Sequence, residues 1–183
     1  MAVIGKAARR LTATTRRRAM SAATRDPADR AIAAAAAELV RDALRAHPGA
    51  VICAYSPMAA EPGGQYLLPA LEATGADLLL PIVLPDLDLD WRRHQAPEGE
   101  QNLGREAVRS AALLLVPALA VDRSGVRLGR GGGSYDRALA RVPPTTAVVA
   151  LLYDGELVDE LPAEPHDRRV TAVLTPSGMT KVT

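Results

Sequence analysis

Residues 127 to 137 read RLGRGGGSYDR. Glycines at 129, 131, 132 and 133 let the backbone take positive φ and come close to a ligand, and successive N–H groups in such a turn form an anion-binding concavity. Arg127 and Arg130 add cations beside it. Ser134 opens the helical pattern SYDRALARV at 134 to 142, and as its cap it would aim a helix dipole at the same ligand. Asp136 is the discordant residue, because a carboxylate beside a phosphate cradle needs a metal ion or a paired cation. The chemistry these residue types suit is phosphate binding. The stretch is not a Walker A loop, which needs Gly-Lys-Ser/Thr, nor a dinucleotide fingerprint, since Ser134 takes the third glycine's place. A tight strand-to-helix turn without a ligand, with Asp136 paired to Arg137, would use the same residues.

A second group of cations stands at the start of the chain. Residues 1 to 25 carry Lys6, Arg9, Arg10, Arg16, Arg17, Arg18 and Arg25 and no acid, which leaves 15 bases against 21 acids in the rest, a net of −6. Lysine is nearly absent, so Lys6 stands out against a background of arginine. The basic arm fits a targeting peptide, a nucleic-acid patch, or a helix that carries cations to an anionic ligand in the protein's own site. No aromatics interleave with the bases, as stacking on RNA would require. A solvated charged helix with no partner is the plain alternative.

These residues need a scaffold, and the apolar pattern supplies one. Residues 6–19, 27–46 and 64–74 read as helices, the second beginning at Asp26-Pro27 as cap and first-turn proline. Short apolar runs at 50–55 (AVICAY), 77–84, 112–121 (ALLLVPALAV), 145–153 and 170–175 read as buried strands, and the alternating stretch at 85–94 as an exposed strand or hairpin arm. Strands apolar on both faces and separated by helices predict a three-layer α/β/α sandwich around a mostly parallel sheet. The 183 residues, 48% apolar, suit one domain over 1–183 with a core of aliphatic side chains, for there is no Phe, one Trp and four Tyr. The longest apolar runs are too short to span a membrane. Cys53 is the only cysteine and sits in a strand-like run, so no internal disulfide forms and a reducing cytoplasm is the expected compartment.

The block DRSGVRLGRGGGSYDRAL at 122 to 139 resembles the signature of the 5-formyltetrahydrofolate cyclo-ligase family: an Asp, a Gly shortly after, then RLG, a glycine loop and Tyr-Tyr-Asp-Arg. Three further segments agree in order. Lys6 and Arg10 in KAARRLTATTRRRAMS match an N-terminal Lys-x-x-x-Arg; AYSPMAAEP at 54 to 62 matches a strand and a glutamate-bearing loop; LPAEPHDRRVTAVLTP at 161 to 176 matches the closing segment.

The resemblance implies a NagB/RpiA/CoA-transferase-like fold and an ATP- and Mg²⁺-dependent closure of 5-formyltetrahydrofolate to 5,10-methenyltetrahydrofolate, in a monomer without nucleic-acid or membrane partners. It implies that Lys6 and Arg10 hold the nucleotide phosphates. Arg127, Gly129, Arg130, Gly131, Gly132, Gly133, Ser134 and Tyr135 would line the ATP site, with Arg130, Tyr135 and Asp136 at the chemistry. Asp136 would bind Mg²⁺ with Asp167 as a second candidate, and Glu61, Met58 and Tyr135 would face the folate. The plain alternatives are a solvated loop acid for Glu61 and a turn residue or Arg168 partner for Asp167. His166 is expected to be structural, His47 and His94 to lie in surface loops, and Trp91 to cover a hairpin or rest on the folate. The chain departs from the family pattern at Ser134, at Gly132 and in the Pro-Gly-Gly that follows Glu61. Those departures leave room for another formamide or folate as substrate, and the basic helix for a non-catalytic nucleotide- or RNA-binding protein.

Overall fold

A computed structural model describes residues 5–97 and 99–182. In chain order its elements begin with helices α1 (Lys6–Ala19) and α2 (Ala22–Ala46), strand β1 (Val51–Cys53), helix α3 (Leu67–Glu72), and strands β2 (Asp77–Val83) and β3 (Leu89–Arg93). There follow β4 (Ala111–Pro117), β5 (Ala120–Asp122), β6 (Arg127–Leu128), helix α4 (Ser134–Leu139), and strands β7 (Ala147–Leu151), β8 (Leu157–Val158), β9 (Ala172–Thr175) and β10 (Gly178–Lys181). Short 3-10 helices lie at Gly64–Tyr66 and Arg105–Ser110.

Seven strands form one sheet in the order β10-β9-β7-β4-β1-β2-β3. The five inner strands run parallel, and β3 and β10 close the two edges antiparallel. Alternate residues of each inner strand enter different layers. Ile52, Leu78, Leu80, Leu113, Leu115 and Val149 pack under Ile32, Ala36 and Val40 of α2 and Leu67 and Leu71 of α3. Cys53, Leu79, Leu114, Val116, Val148 and Ala150 face Trp91, Val108, Ala138 and Leu139 on the other side. Burial on both faces is why these strands are apolar throughout, and it yields the expected α/β/α sandwich. Burial also pushes the Cys53 thiol up to about 12, so it is an inert core group.

Four expectations need correction. Helix α2 starts one turn early, because Ser21 accepts a hydrogen bond from Thr24 N (3.2 Å) and so caps it; Pro27 then falls inside the helix on its exposed side. The run at 112–121 is two strands. Beyond Pro117 the chain leaves the large sheet, and β5 joins a small sheet of order β6-β5-β8 that lies outside the pattern read from sequence. The strand expected to be exposed is half buried: Leu89 and Trp91 enter the core while Arg92 and Arg93 face solvent. Finally, strand β10 was not anticipated, since all four of its residues are exposed.

Chain direction fixes where a site can form. From β1 the chain crosses by α3 to β2 on one side, whereas from β4 it crosses by β5, β6 and α4 to β7 on the other. The order therefore reverses between β1 and β4, and the loops leaving their carboxyl ends part to open a crevice.

Candidate active site

A cleft of about 600 Å³ lies at that crevice, and every residue assigned above to nucleotide, folate or metal lines it: Lys6, Arg10, Met58, Glu61, Arg127, Gly129 to Asp136, and Asp167. Its floor is the end of β4, Pro117 to Leu119, and of β1, Tyr55 and Ser56.

The glycine loop works differently at each glycine. Gly131 and Gly133 hold φ of 110° and 69°, and Gly129 leaves room for Arg127, whose Nη1 would be 2.7 Å from an added Cβ. Gly132 lies outside the left-handed region and meets only Ser134 Oγ at 3.5 Å, so the expectation of four glycines needed for positive φ reduces to two. Ser134 does not cap α4. Gly133 in the left-handed conformation starts the helix, and Ser134 is its first residue, with no capping hydrogen bond. The loop is fixed from outside by Arg137, which donates to Gly132 O (2.8 Å) and to Leu87 O (3.0 Å) at the β2–β3 hairpin.

Arg137 therefore does not pair with Asp136. Arg127 does, at 3.0 Å, with a side chain only 3% exposed. The Arg127 guanidinium also sits 5.6 Å from the centre of the Tyr135 ring, and its Nε has no hydrogen-bond partner among the described residues. Burial pushes the Tyr135 hydroxyl well above its ordinary range, only partly offset by Arg127, so the phenol stays protonated and can donate.

Helix α1 brings its cations in on one face. Lys6, Arg10, Ala13 and Arg17 recur at spacings of four and three, the period of one helical stripe. Arg10 Nε donates to Gly129 O at 3.0 Å, joining the helix directly to the glycine loop. Lys6 Nζ reaches Asp167 at 2.7 Å and Glu164 at 3.2 Å. Burial alone would raise the Asp167 carboxyl, but the hydrogen bonds from Lys6 and Glu164 N together with the nearby positive charge of Lys6 hold the group below the ordinary range. Asp167 also accepts Glu164 N (2.7 Å), so it is a turn residue and a cation's partner, though that cation is Lys6 and not Arg168. Sequence reasoning missed Arg17. It is buried and forms a forked pair with Glu156, Nε to Oε1 at 2.8 Å and Nη2 to Oε2 at 2.6 Å, and donates to Ala118 O at 2.6 Å. The stripe period would have found it.

Glu61 is 5% exposed, so it is not a solvated loop acid. Its Oε2 accepts Met58 N (2.8 Å), and its Oε1 accepts Arg130 Nε (3.0 Å) from the glycine loop opposite. Met58 and Val83 form an exposed apolar rim on the cleft. His166, expected to be structural, is 68% exposed at the cleft's edge beside Glu164. His94 is tied to Glu72 at 2.6 Å and is not free in its loop, while His47 is exposed at the end of α2.

Glycine backbone, five cations and four acids in one crevice define an α/β protein with a charged cleft at its switch point. Residues 4–176 match the 5-formyltetrahydrofolate cyclo-ligase family, and the chain belongs to it. It is 45% identical over 144 residues to the 5-formyltetrahydrofolate cyclo-ligase of Mycolicibacterium smegmatis, covering 70% of this chain and 74% of that one. Over 66 residues it is 44% identical to the enzyme of that name from Escherichia coli, 36% of each chain. The fold is that of a 5,10-methenyltetrahydrofolate synthetase from Mycoplasma pneumoniae, with a TM-score of 0.75 at 20% identity over 94% of this chain and 99% of that one. The Aquifex aeolicus 5,10-methenyltetrahydrofolate synthetase superposes with a TM-score of 0.69 at 24% identity, covering 96% and 92%.

Proposed function

We propose that the chain closes 5-formyltetrahydrofolate to 5,10-methenyltetrahydrofolate with consumption of ATP. The supporting observation is the convergence of the glycine loop, the α1 cations and the buried Glu61 on one cleft. A formamide oxygen is a poor leaving group. The formyl oxygen therefore attacks the γ-phosphorus, forming an O–P bond as the bond to ADP breaks. The N10 lone pair then attacks the formyl carbon, N10 loses its proton, and the C–O bond breaks with phosphate as leaving group.

Such a transfer asks the protein for positioning and charge neutralisation. Lys6 and Arg10 meet the phosphates from α1, and the backbone from Gly129 to Gly133 with Arg130 encloses them. Arg127 orients Asp136, and Tyr135 donates its hydroxyl at the border between nucleotide and folate. Glu61 accepts hydrogen bonds from the pterin's amino and ring N–H groups, with Met58 against its ring. Asp136 and Asp167 are the carboxylates that would hold Mg²⁺, an ion that one or two carboxylates suit where substrate phosphates supply further oxygens. When bound, Mg²⁺ neutralises charge on the transferring phosphoryl group.

The N-terminal bases Lys6, Arg10, Arg16, Arg17 and Arg25 make hydrogen bonds within the fold, which favours a helix serving its own site over a targeting or RNA-binding arm. We place the activity in one domain over 1–183, acting as a monomer in the cytoplasm. No helix among the described residues is long and apolar enough to cross a membrane. The test is to mix protein, Mg²⁺, ATP and 5-formyltetrahydrofolate. The near-UV band of the conjugated methenyl product should grow in step with ADP. ADP released without that band, or only on another formamide, would reassign the substrate, and a salt-sensitive RNA shift without hydrolysis would remove the enzyme altogether.

A further inference from the structure

The turn that presents Glu61 carries local backbone strain. Ala60 holds φ of 63°, a left-handed conformation that disfavours any side chain, and Gly63 and Gly64 follow at 89° and 43°. Strain of this kind persists where the surroundings over-determine the backbone. Here the surroundings include Tyr55, whose hydroxyl donates to Pro62 O at 2.7 Å, and two buried residues outside the cleft wall, Asp29 on α2, 5% exposed, and Tyr153 beyond β7, 3% exposed. Asp29 Oδ1 accepts from Gly63 N at 2.9 Å and from the Tyr153 hydroxyl at 2.7 Å. With its one proton given to Asp29, the Tyr153 hydroxyl rests 3.4 Å from Glu61 O. A Cβ at Gly64 would lie 2.6 Å from Asp29 Oδ2, so the Pro-Gly-Gly after Glu61 fits this carboxylate in shape as well as in hydrogen bonding. The Tyr153 ring also carries Arg17 at 5.5 Å, so one side chain braces both the helix that brings the cations and the turn that brings the acid.

We infer that Asp29 and Tyr153 are positioning residues that set the Glu61 carboxylate in the cleft. The inference rests on Glu61 being the acceptor for the folate, as proposed above. It predicts a defect weighted toward the folate, since neither hydrogen bond touches the glycine loop or Lys6 and the loop meets this turn only through the Arg130–Glu61 pair at 3.0 Å.

Steady-state kinetics on four full-length variants decide it, with the melting temperature of each as control. Tyr153→Phe, which keeps the ring under Arg17, should raise KM for 5-formyltetrahydrofolate about fivefold, the worth of one hydrogen bond, while KM for ATP stays within about twofold. Asp29→Ala should do the same or more. Asp29→Asn should restore the value toward wild type, because its Oδ1 still accepts both bonds. Equal rises in both KM values, with no rescue by asparagine, would overturn the inference in favour of a general packing role. If Glu61→Ala raises the folate KM but Tyr153→Phe and Asp29→Ala do not, the inference alone falls. If Glu61→Ala leaves that KM unchanged, the reading of Glu61 falls and takes the inference with it.

Discussion

Within the glycine loop, conformation and space separate residues that the sequence writes identically. Alanine at Gly131 must adopt a φ near 110°, at a cost of about 1–3 kcal/mol, whereas alanine at Gly132 meets nothing closer than 3.5 Å. We expect Gly132→Ala to melt within about 2 °C of wild type and Gly131→Ala to melt lower and lose ATP affinity, as calorimetry and KM measurements would show. Asp136 needs similar care. The sequence alone suggests that Asp136→Ala removes a metal ligand and leaves the fold intact. Because Asp136 pairs with a guanidinium only 3% exposed, alanine would also strand a buried charge, at a cost of about 3 kcal/mol or more. Asp136→Asn keeps an acceptor for Arg127. It should hold the melting temperature near wild type while turnover falls by about 100-fold or more, and full turnover would show that the carboxylate charge is not needed.

At the scale of elements, helix α1 is positioned more by polar contacts than by apolar packing, its one buried residue being Arg17. It has no acid in its first turn and no side-chain cap, and it is fastened instead by polar contacts, Arg17 to Glu156 and Ala118, Arg16 to Asp154 and Gly155, and Arg10 to the glycine loop. Arg17→Ala leaves Glu156, 4% exposed, without its ion-pair partner. We expect a melting temperature lower by about 10 °C and a KM for ATP raised about tenfold, since Lys6 and Arg10 lose their anchorage. Arg17→Lys should not rescue it, because an ammonium cannot reproduce the fork onto both carboxylate oxygens. Hydrogen exchange in α1 would rise with the loss of affinity; an α1 as protected as in wild type would contradict this account. The elements also mark what a reader of the sequence could see. Strands buried on both faces declare themselves by composition, which is why the inner strands were legible. Strands β6 and β8 have two residues each, and β10 is wholly exposed, so no apolar run announces them. The cations Lys6 and Arg10 and the glycine loop were legible from residue type and spacing. Asp29, Tyr153 and Glu156 were not, because their roles come from partners separated in sequence by 34, 124 and 139 residues.

Across the whole molecule, the charges that hold loops together set the response to acid. The hydrogen bond from Arg141 holds Asp88 below the ordinary carboxylate range. Burial alone would raise Asp122, but hydrogen bonds from Ser124, Leu161 and Val126 bring it below that range too. A depressed folded value means stability that is present above about pH 4, the unfolded value, and is lost as pH falls through the folded one. Asp29, raised chiefly by burial, acts in the opposite sense and regains stability as it is protonated. With Asp167 the depressed acids outnumber it. Melting temperature should therefore fall steeply below about pH 4, and Asp88→Asn, though less stable at neutral pH, should show a shallower acid slope. An unchanged slope would place the acid sensitivity elsewhere.

The central claim is that one cleft activates the formyl oxygen with phosphate and then closes the ring. It is tested most directly by supplying 5-formyltetrahydrofolate labelled with ¹⁸O in the formyl group and weighing the phosphate released with ADP. The account predicts one ¹⁸O atom in each phosphate formed with methenyl product. Unlabelled phosphate would mean that water, not the formamide, receives the phosphoryl group, and would contradict it.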